Sequence, residues 1–343
     1  MISENKGVMS ISIFKKTSSE KNPAEKPSEI INDVNNYINV SQAQYKRRGV
    51  QAFFFILFIL APVLDIFRFD LNQTHFVLFG SAWTLGLEPF LMGQATPGHA
   101  VMNIILRGFL PLAGLLLLLG WVSWKYGRLY CGWMCPHFSV VETINNLMRR
   151  ASGKLSIWDR KKLPEKRPDG RPVTPNKLYW LLVFIAVAGF SFLWAVVLLT
   201  YLLPPAEIYS NLFHAELTPN QTRFIAIGSA LLTIEFMFAR HLFCRFGCAV
   251  GVFQSFIWMA NPKAMVVSFQ RQKAYACQDC GSYKNDDNNK ACDDICPMRL
   301  KPRTIKRSMF TCTQCAQCLT VCNQVQGDVN QPPVIRWQPG QDE

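Results

Sequence analysis

Cysteine is missing from the first 130 residues of this 343-residue chain, charge is scarce at 17%, and histidine occurs only five times. Each shortage excludes something. With 50% hydrophobic residues against so little charge, the chain is too apolar for a disordered protein and long enough to bury a sizeable core. Residues 1–45 are polar and lack the apolar h-region of a cleavable signal peptide, so they read as a flexible cytoplasmic arm. No basic stripe is interleaved with aromatics, so the net charge of +13 is not read as nucleic-acid binding. A chain that crosses a membrane several times gathers the same excess in its internal loops. The histidines (His75, His99, His137, His214 and His241) are scattered, and only His137 and His241 fall near cysteines.

The apolar residues gather in blocks. Four read as spanning helices, at about 49–67, 104–124, 178–203 and 222–240, each near the ~20 residues a hydrocarbon core of ~30 Å requires. Arg107 and Glu235 lie inside two of them, and intramembrane charges usually face a partner helix or a polar site. Lys and Arg number eight in residues 1–48, one in the first connection, twelve in 125–177, none in 204–222 and thirteen from 240 onward. By the positive-inside rule this alternation places both termini and the central loop in the cytoplasm, for a multi-pass protein of the bacterial inner membrane. The stretch 76–90 is too short and too broken by Gly and Pro for a span, and reads as interfacial or re-entrant. Residues 159–176 form a charged, proline-rich linker.

The membrane part repeats itself. The second span runs into Cys131-x-x-x-Cys135 and the fourth into Cys244-x-x-x-Cys248, each followed by an apolar helix, at 138–148 and 250–260, expected on the membrane surface. On a continuous helix, residues i and i+4 share a face, so each pair presents two thiols together at the cytoplasmic edge. If the two related hairpins pack by pseudo-symmetry, four sulfurs converge. Four such thiolates suit a third cluster or a soft ion such as Cu(I), and the bland alternative is four small buried residues with no ligand.

The remaining eight cysteines carry the clearest pattern. Cys312-x-x-Cys315-x-x-Cys318-x-x-x-Cys322 follows Cys277-x-x-Cys280, an insertion at 281–291, and Cys292-x-x-x-Cys296-Pro297. Three closely spaced thiolates on one cluster, with the fourth crossing to another, is the bacterial ferredoxin arrangement. Cys277, Cys280, Cys292 and Cys322 are therefore assigned to one [4Fe-4S] cluster, and Cys296, Cys312, Cys315 and Cys318 to a second. Paired zinc sites are the alternative.

The fold class expected is an α-helical integral membrane protein, four transmembrane helices as two hairpins, with a C-terminal cytoplasmic two-cluster ferredoxin-like segment. Its units are an arm (1–45), a membrane domain (46–262), a ferredoxin-like domain (263–325) and a tail (326–343).

Two membrane Cys-x-x-x-Cys motifs ahead of such a segment resemble the membrane polyferredoxin-like family. That family includes the accessory protein of C-family haem–copper oxidases and the membrane ferredoxin-type subunits of nitrate- and nitrous-oxide-reductase systems. The oxidase accessory protein is similar in Gly127-Arg128-x-x-Cys131-Gly132-x-x-Cys135-Pro136, in Phe253-Gln254-Ser255 and in Pro332-x-x-Ile335-Arg336, and the resemblance covers about residues 45–337. It implies an oxidoreductase that reduces Cu(II) to Cu(I) for oxidase assembly, or a conduit passing electrons from quinol or ferredoxin to a respiratory reductase. The partners implied are the membrane, donor and acceptor proteins or quinone, and copper ions or oxidase assembly factors. Ala249 stands where that family usually has Pro, and no extra C-terminal span and globular domain follows. These departures open the reading of a specialised paralogue in another pathway.

Overall fold

The computed structural model describes residues 27–159, 162–163, 173–277, 280, 290–327 and 331–340. The first part of the expected arm, most of the charged linker and most of the 281–291 insertion lie outside the described residues. Where an arm up to residue 45 is expected, a helix already runs from Pro27 to Val63.

Three helices among the described residues are long and apolar enough to cross a membrane: Pro97–Tyr126, Tyr179–Thr200 and Pro219–Gly247. The fourth expected span falls in the Pro27–Val63 helix. There Lys46, Arg47 and Arg48 confine the uncharged stretch to Gly49–Val63, about 22 Å of helix at ~1.5 Å per residue. That stretch nevertheless packs along the Tyr179–Thr200 helix, with Phe55 and Phe58 against Trp194, and Tyr201 Oη donating to the Phe58 carbonyl at 2.8 Å.

The segment 76–90, read as interfacial or re-entrant, is a β-hairpin over its first half. Strands β1 (Phe67–Asp70), β2 (His75–Leu78) and β3 (Ser81–Trp83) make an antiparallel sheet in the order β1-β2-β3. Phe79 and Gly80 join β2 to β3 with φ of 50° and 73°, and two left-handed residues in a two-residue loop match the right-handed twist of a hairpin. The aromatic alternation that reads as an apolar run is a strand pattern.

The two halves of the repeat exchange contacts. The helix after the second cysteine motif, Ala249–Ala260, packs on the Pro97–Tyr126 span that precedes the first motif. On the other side His137, in the Pro136–Ser152 helix after the first motif, stacks on Phe236 of the span that precedes the second. The apolar face of the Pro136–Ser152 helix is covered within the chain. Phe138, Val141, Ile144 and Met148 are at most 1% exposed, because the Tyr179–Thr200 helix and the cysteine-rich tail cover its apolar face. Its counterpart keeps Val250, Phe253 and Phe256 exposed.

The tail is held by β4 (Met265–Phe269) pairing antiparallel with β5 (Ile335–Pro339), with Met265 opposite Pro339 and Phe269 opposite Ile335. This sheet joins residues on both sides of the expected boundary at 325.

Candidate iron–sulfur centres

The structure gathers the twelve cysteines into three groups, and none forms a disulfide. Cys296, Cys312, Cys315 and Cys318 ring a small cavity closed by Val267, Pro297, Met298, Leu300 and Met309. Gln314 (φ 52°) and Ala316 (φ 59°) flank Cys315 in left-handed conformation, which curls the loop so that successive thiols turn inward. Backbone N–H groups then meet the sulfurs: Gln314 donates to Cys312, Gln317 to Cys315, and Leu300 to Cys296 at 3.4 Å. Burial pushes the Cys296 thiol up to about 12 and raises Cys312, Cys315 and Cys318 as well. Thiols so placed ionise only when a cation takes over the sulfur charge, which is what metal ligation supplies.

Cys277, Cys280, Cys292 and Cys322 form the second group, each within electrostatic range of others in the set. The Val334 and Ile335 amides donate to Cys322. Arg303, paired with Asp293 at 2.6 Å, adds positive charge beside Cys277, Cys280 and Cys292.

The third group is Cys131, Cys135, Cys244 and Cys248, each within electrostatic range of others in the set. The two members of each pair do not share a continuous helix, as the i, i+4 reading expects. Cys131 lies in the short helix Leu129–Trp133 and Cys244 in the π-helical turn Phe243–Gly247, while Cys135 and Cys248 are extended residues at the start of the next helix. A wide turn closes each motif in the same way: the Cys135 amide donates to the Tyr130 carbonyl at 3.0 Å and the Cys248 amide to the Phe243 carbonyl at 2.9 Å. Such turns cluster at functional sites, and these direct both thiols of a pair toward the opposite half. The His137 and Phe138 amides, at the N-terminus of a helix, donate to the Cys135 sulfur, and burial raises that thiol to about 11.

Sequence reasoning missed several residues here. Gln254, fully buried, accepts from the Cys131 thiol at 3.1 Å, and only its place in the Phe253-Gln254-Ser255 motif hinted at it. Glu235 finds its partner in His137, Nε2 to Oε1 at 3.2 Å. Arg47, which sequence counting treats as a topology signal, is 1% exposed and pairs with Glu142 at 2.6 Å. Gly132 touches the tail itself: a Cβ there would stand 2.2 Å from the Thr313 carbonyl oxygen, so the membrane loop and the Cys312–Cys315 loop meet backbone to backbone. Trp133 Nε1 donates to the Gln314 carbonyl at 3.0 Å across the same contact.

Among the described residues no three His, Cys, Asp or Glu side chains lie close enough to hold a single metal ion. Thiols ringing a cavity fit a polynuclear cluster, whose ligands attach to separate irons, better than a zinc ion, whose ligands meet at about 2.3 Å.

The chain carries a 4Fe-4S binding domain. The family model of that description matches residues 108–154, the stretch that contains Cys131 and Cys135. Among curated proteins the chain is similar to "Putative electron transport protein YccM" of Escherichia coli, 24% identical over 231 residues, covering 67% of this chain and 56% of that one. It is also similar to "Uncharacterized protein MJ0750" of Methanocaldococcus jannaschii, 26% identical over 206 residues, covering 58% of this chain and 70% of that one. The chain thus spans little more than half the length of the Escherichia coli relative. No solved structure matches.

Proposed function

We propose that this chain is a membrane-bound electron-transfer protein with three [4Fe-4S] centres, two held by the tail cysteines and one by Cys131, Cys135, Cys244 and Cys248. The observation that carries the reading is the convergence of the four membrane-edge thiols directly beneath the tail, with Gly132 against Thr313. Support comes from the 4Fe-4S domain match, which falls on the first membrane motif, and from the words electron transport in the name of the Escherichia coli relative.

A [4Fe-4S] cluster, when bound, takes up and releases one electron with little rearrangement. The protein's own part is placement. Buried thiolates fix each site, amide donors such as Leu300 and Gln317 hold sulfur charge, and the Arg47–Glu142 pair, with Gln51 on the Gly132 carbonyl, holds the membrane loop against the tail. Cys318 lies in range of Cys292, which brings the two tail groups together as well. The three groups therefore form a continuous route from the tail to the membrane edge, where a quinone or a redox protein exchanges electrons.

The same reading takes the Pro27–Val63 helix as a fourth crossing. Gln44, midway along it, donates to the Cys315 carbonyl at 2.9 Å, while Phe69 and Leu71 beyond its end donate to the Tyr201 and Leu202 carbonyls, so its second half runs from the tail to the far end of the Tyr179–Thr200 span. Four crossings put both termini on the side of the tail, the cytoplasmic side of a bacterial inner membrane by the Lys/Arg distribution.

Replacing Cys131 or Cys244 by Ser tests the reading. It should remove about four of about twelve irons and one EPR signal while sparing the two tail signals, whereas Cys312→Ser should remove a tail signal. Unchanged iron and EPR in Cys131→Ser and Cys244→Ser would leave the membrane cysteines without a cluster.

A further inference from the structure

Arg128 is 1% exposed and has no carboxylate partner among the described residues. Its Nη2 donates to the Cys244 carbonyl at 2.6 Å, while Nε and Nη1 are buried with no hydrogen-bond partner. Space for it is made by the second half of the repeat, since a Cβ on Gly251 would stand 2.2 Å from Nη2. The residue thus belongs to the first cysteine motif by sequence and lies under the second by position.

Buried charges are found paired, because an isolated ion loses far more in hydration than a protein interior returns. A guanidinium keeps its charge at any physiological pH, so it cannot escape by losing a proton as a lysine can. The groups able to answer that charge are thiols. Arg128 interacts electrostatically with Cys131 and Cys244 of the membrane-edge group and with Cys312 of the tail. Two buried donors without a geometric hydrogen-bond partner and one permanent cation, with the guanidinium in hydrogen-bonding range of the Cys131 sulfur, are the complement of an anionic thiolate-bound centre.

We propose that Arg128 is the counter-ion of the membrane-edge cysteine site, a positioning residue whose fixed charge holds the thiolates of Cys131 and Cys244 and sets the potential of the centre they bind. This rests on the third-cluster reading above and goes beyond it. Each reduction adds one electron, and so one negative charge, to a buried site. A cation in contact with that site stabilises the reduced form and raises the midpoint potential. Cys312 feels the same charge, so the neighbouring tail centre moves in the same direction.

The test compares Arg128→Lys, which keeps the charge, with Arg128→Met, which keeps the apolar stem. Each full-length protein, purified anaerobically, is analysed for iron and titrated with dithionite while EPR is recorded. Arg128→Met should either lose the membrane-edge signal, with iron falling from about twelve to about eight, or keep it with a reduction equilibrium at least about tenfold less favourable. Tenfold corresponds to about 59 mV for one electron. Arg128→Lys should keep about twelve irons and shift by less than Arg128→Met, and the tail signals should persist in both as proof of folding. Equal behaviour of Lys and Met, in iron and in midpoint, would overturn the role of the charge. A wild-type protein with only about eight irons would overturn the third-cluster reading itself, and the counter-ion role with it.

Discussion

Gly132→Ala isolates the contact between membrane loop and tail. Gly132 sits in the Leu129–Trp133 helix with φ in the ordinary range, so alanine is conformationally allowed and by helix propensity alone should stabilise by roughly 0.5–1 kcal/mol. The new Cβ, however, would stand 2.2 Å from the Thr313 carbonyl oxygen and 3.2 Å from its carbon. Ordinary contact requires a retreat of about 1 Å or more, and what must retreat is backbone. That backbone is pinned by Trp133 Nε1 on the Gln314 carbonyl at 3.0 Å and by Gln44 on the Cys315 carbonyl at 2.9 Å, and the Gln314 side chain is held by Trp337 Nε1 at 2.9 Å. Overpacking costs about 1–3 kcal/mol and each disturbed hydrogen bond about 1 more. The clash therefore wins, by a net ~1–3 kcal/mol localised at the Cys312–Cys315 loop. Hydrogen exchange of amides 312–318 should quicken by about 5- to 150-fold, at tenfold per ~1.4 kcal/mol. Gly189→Ala, with nothing within 4 Å of its added Cβ, is the control and should leave that loop unchanged. Exchange in Gly132→Ala equal to or slower than wild type would refute the contact.

Three further outcomes follow from the same geometry. Arg47→Met should lower the melting temperature by leaving Glu142 unpaired, at a cost of about 3–5 kcal/mol, and the Arg47→Met/Glu142→Leu double variant should recover most of it; a double variant no better than the single would show that the pair is not what matters. After anaerobic iron removal, alkylation of Cys296 should keep rising about tenfold per pH unit from pH 8 to 11, because burial disfavours its thiolate until about 12. A plateau by pH 9 would mean an exposed thiol. A reporter active only outside the cytoplasm should work when fused after Pro205 and fail at the C-terminus, and the reverse would invert the topology.

What could be read from the chain depended on whether the signal was local. Cysteine spacing is local; in the structure Cys296 shares a cavity with Cys312, Cys315 and Cys318, and Cys277 lies in range of Cys280, Cys292 and Cys322. The apolar runs at 104–124, 178–203 and 222–240 fall in the three long apolar helices for the same reason. Contacts between distant segments left no mark. Gly132 looks like any motif glycine until Thr313 is placed against it, and Arg47 is indistinguishable from Arg48 in a basic cluster until Glu142 arrives from 95 positions away. The wide turns at Cys135 and Cys248 were hidden because four-residue spacing is also helical spacing. The hairpin at Phe79-Gly80 was hidden because aromatic strands and apolar spans share a composition.

The most direct measurement of the central claim is the metal and acid-labile sulfide content of the anaerobically purified full-length protein. Three [4Fe-4S] centres require about twelve irons and about twelve sulfides per chain, falling to about eight of each when Cys131, Cys135, Cys244 and Cys248 are all replaced by Ser. Zinc in place of iron, or about eight irons before and after that replacement, would contradict it.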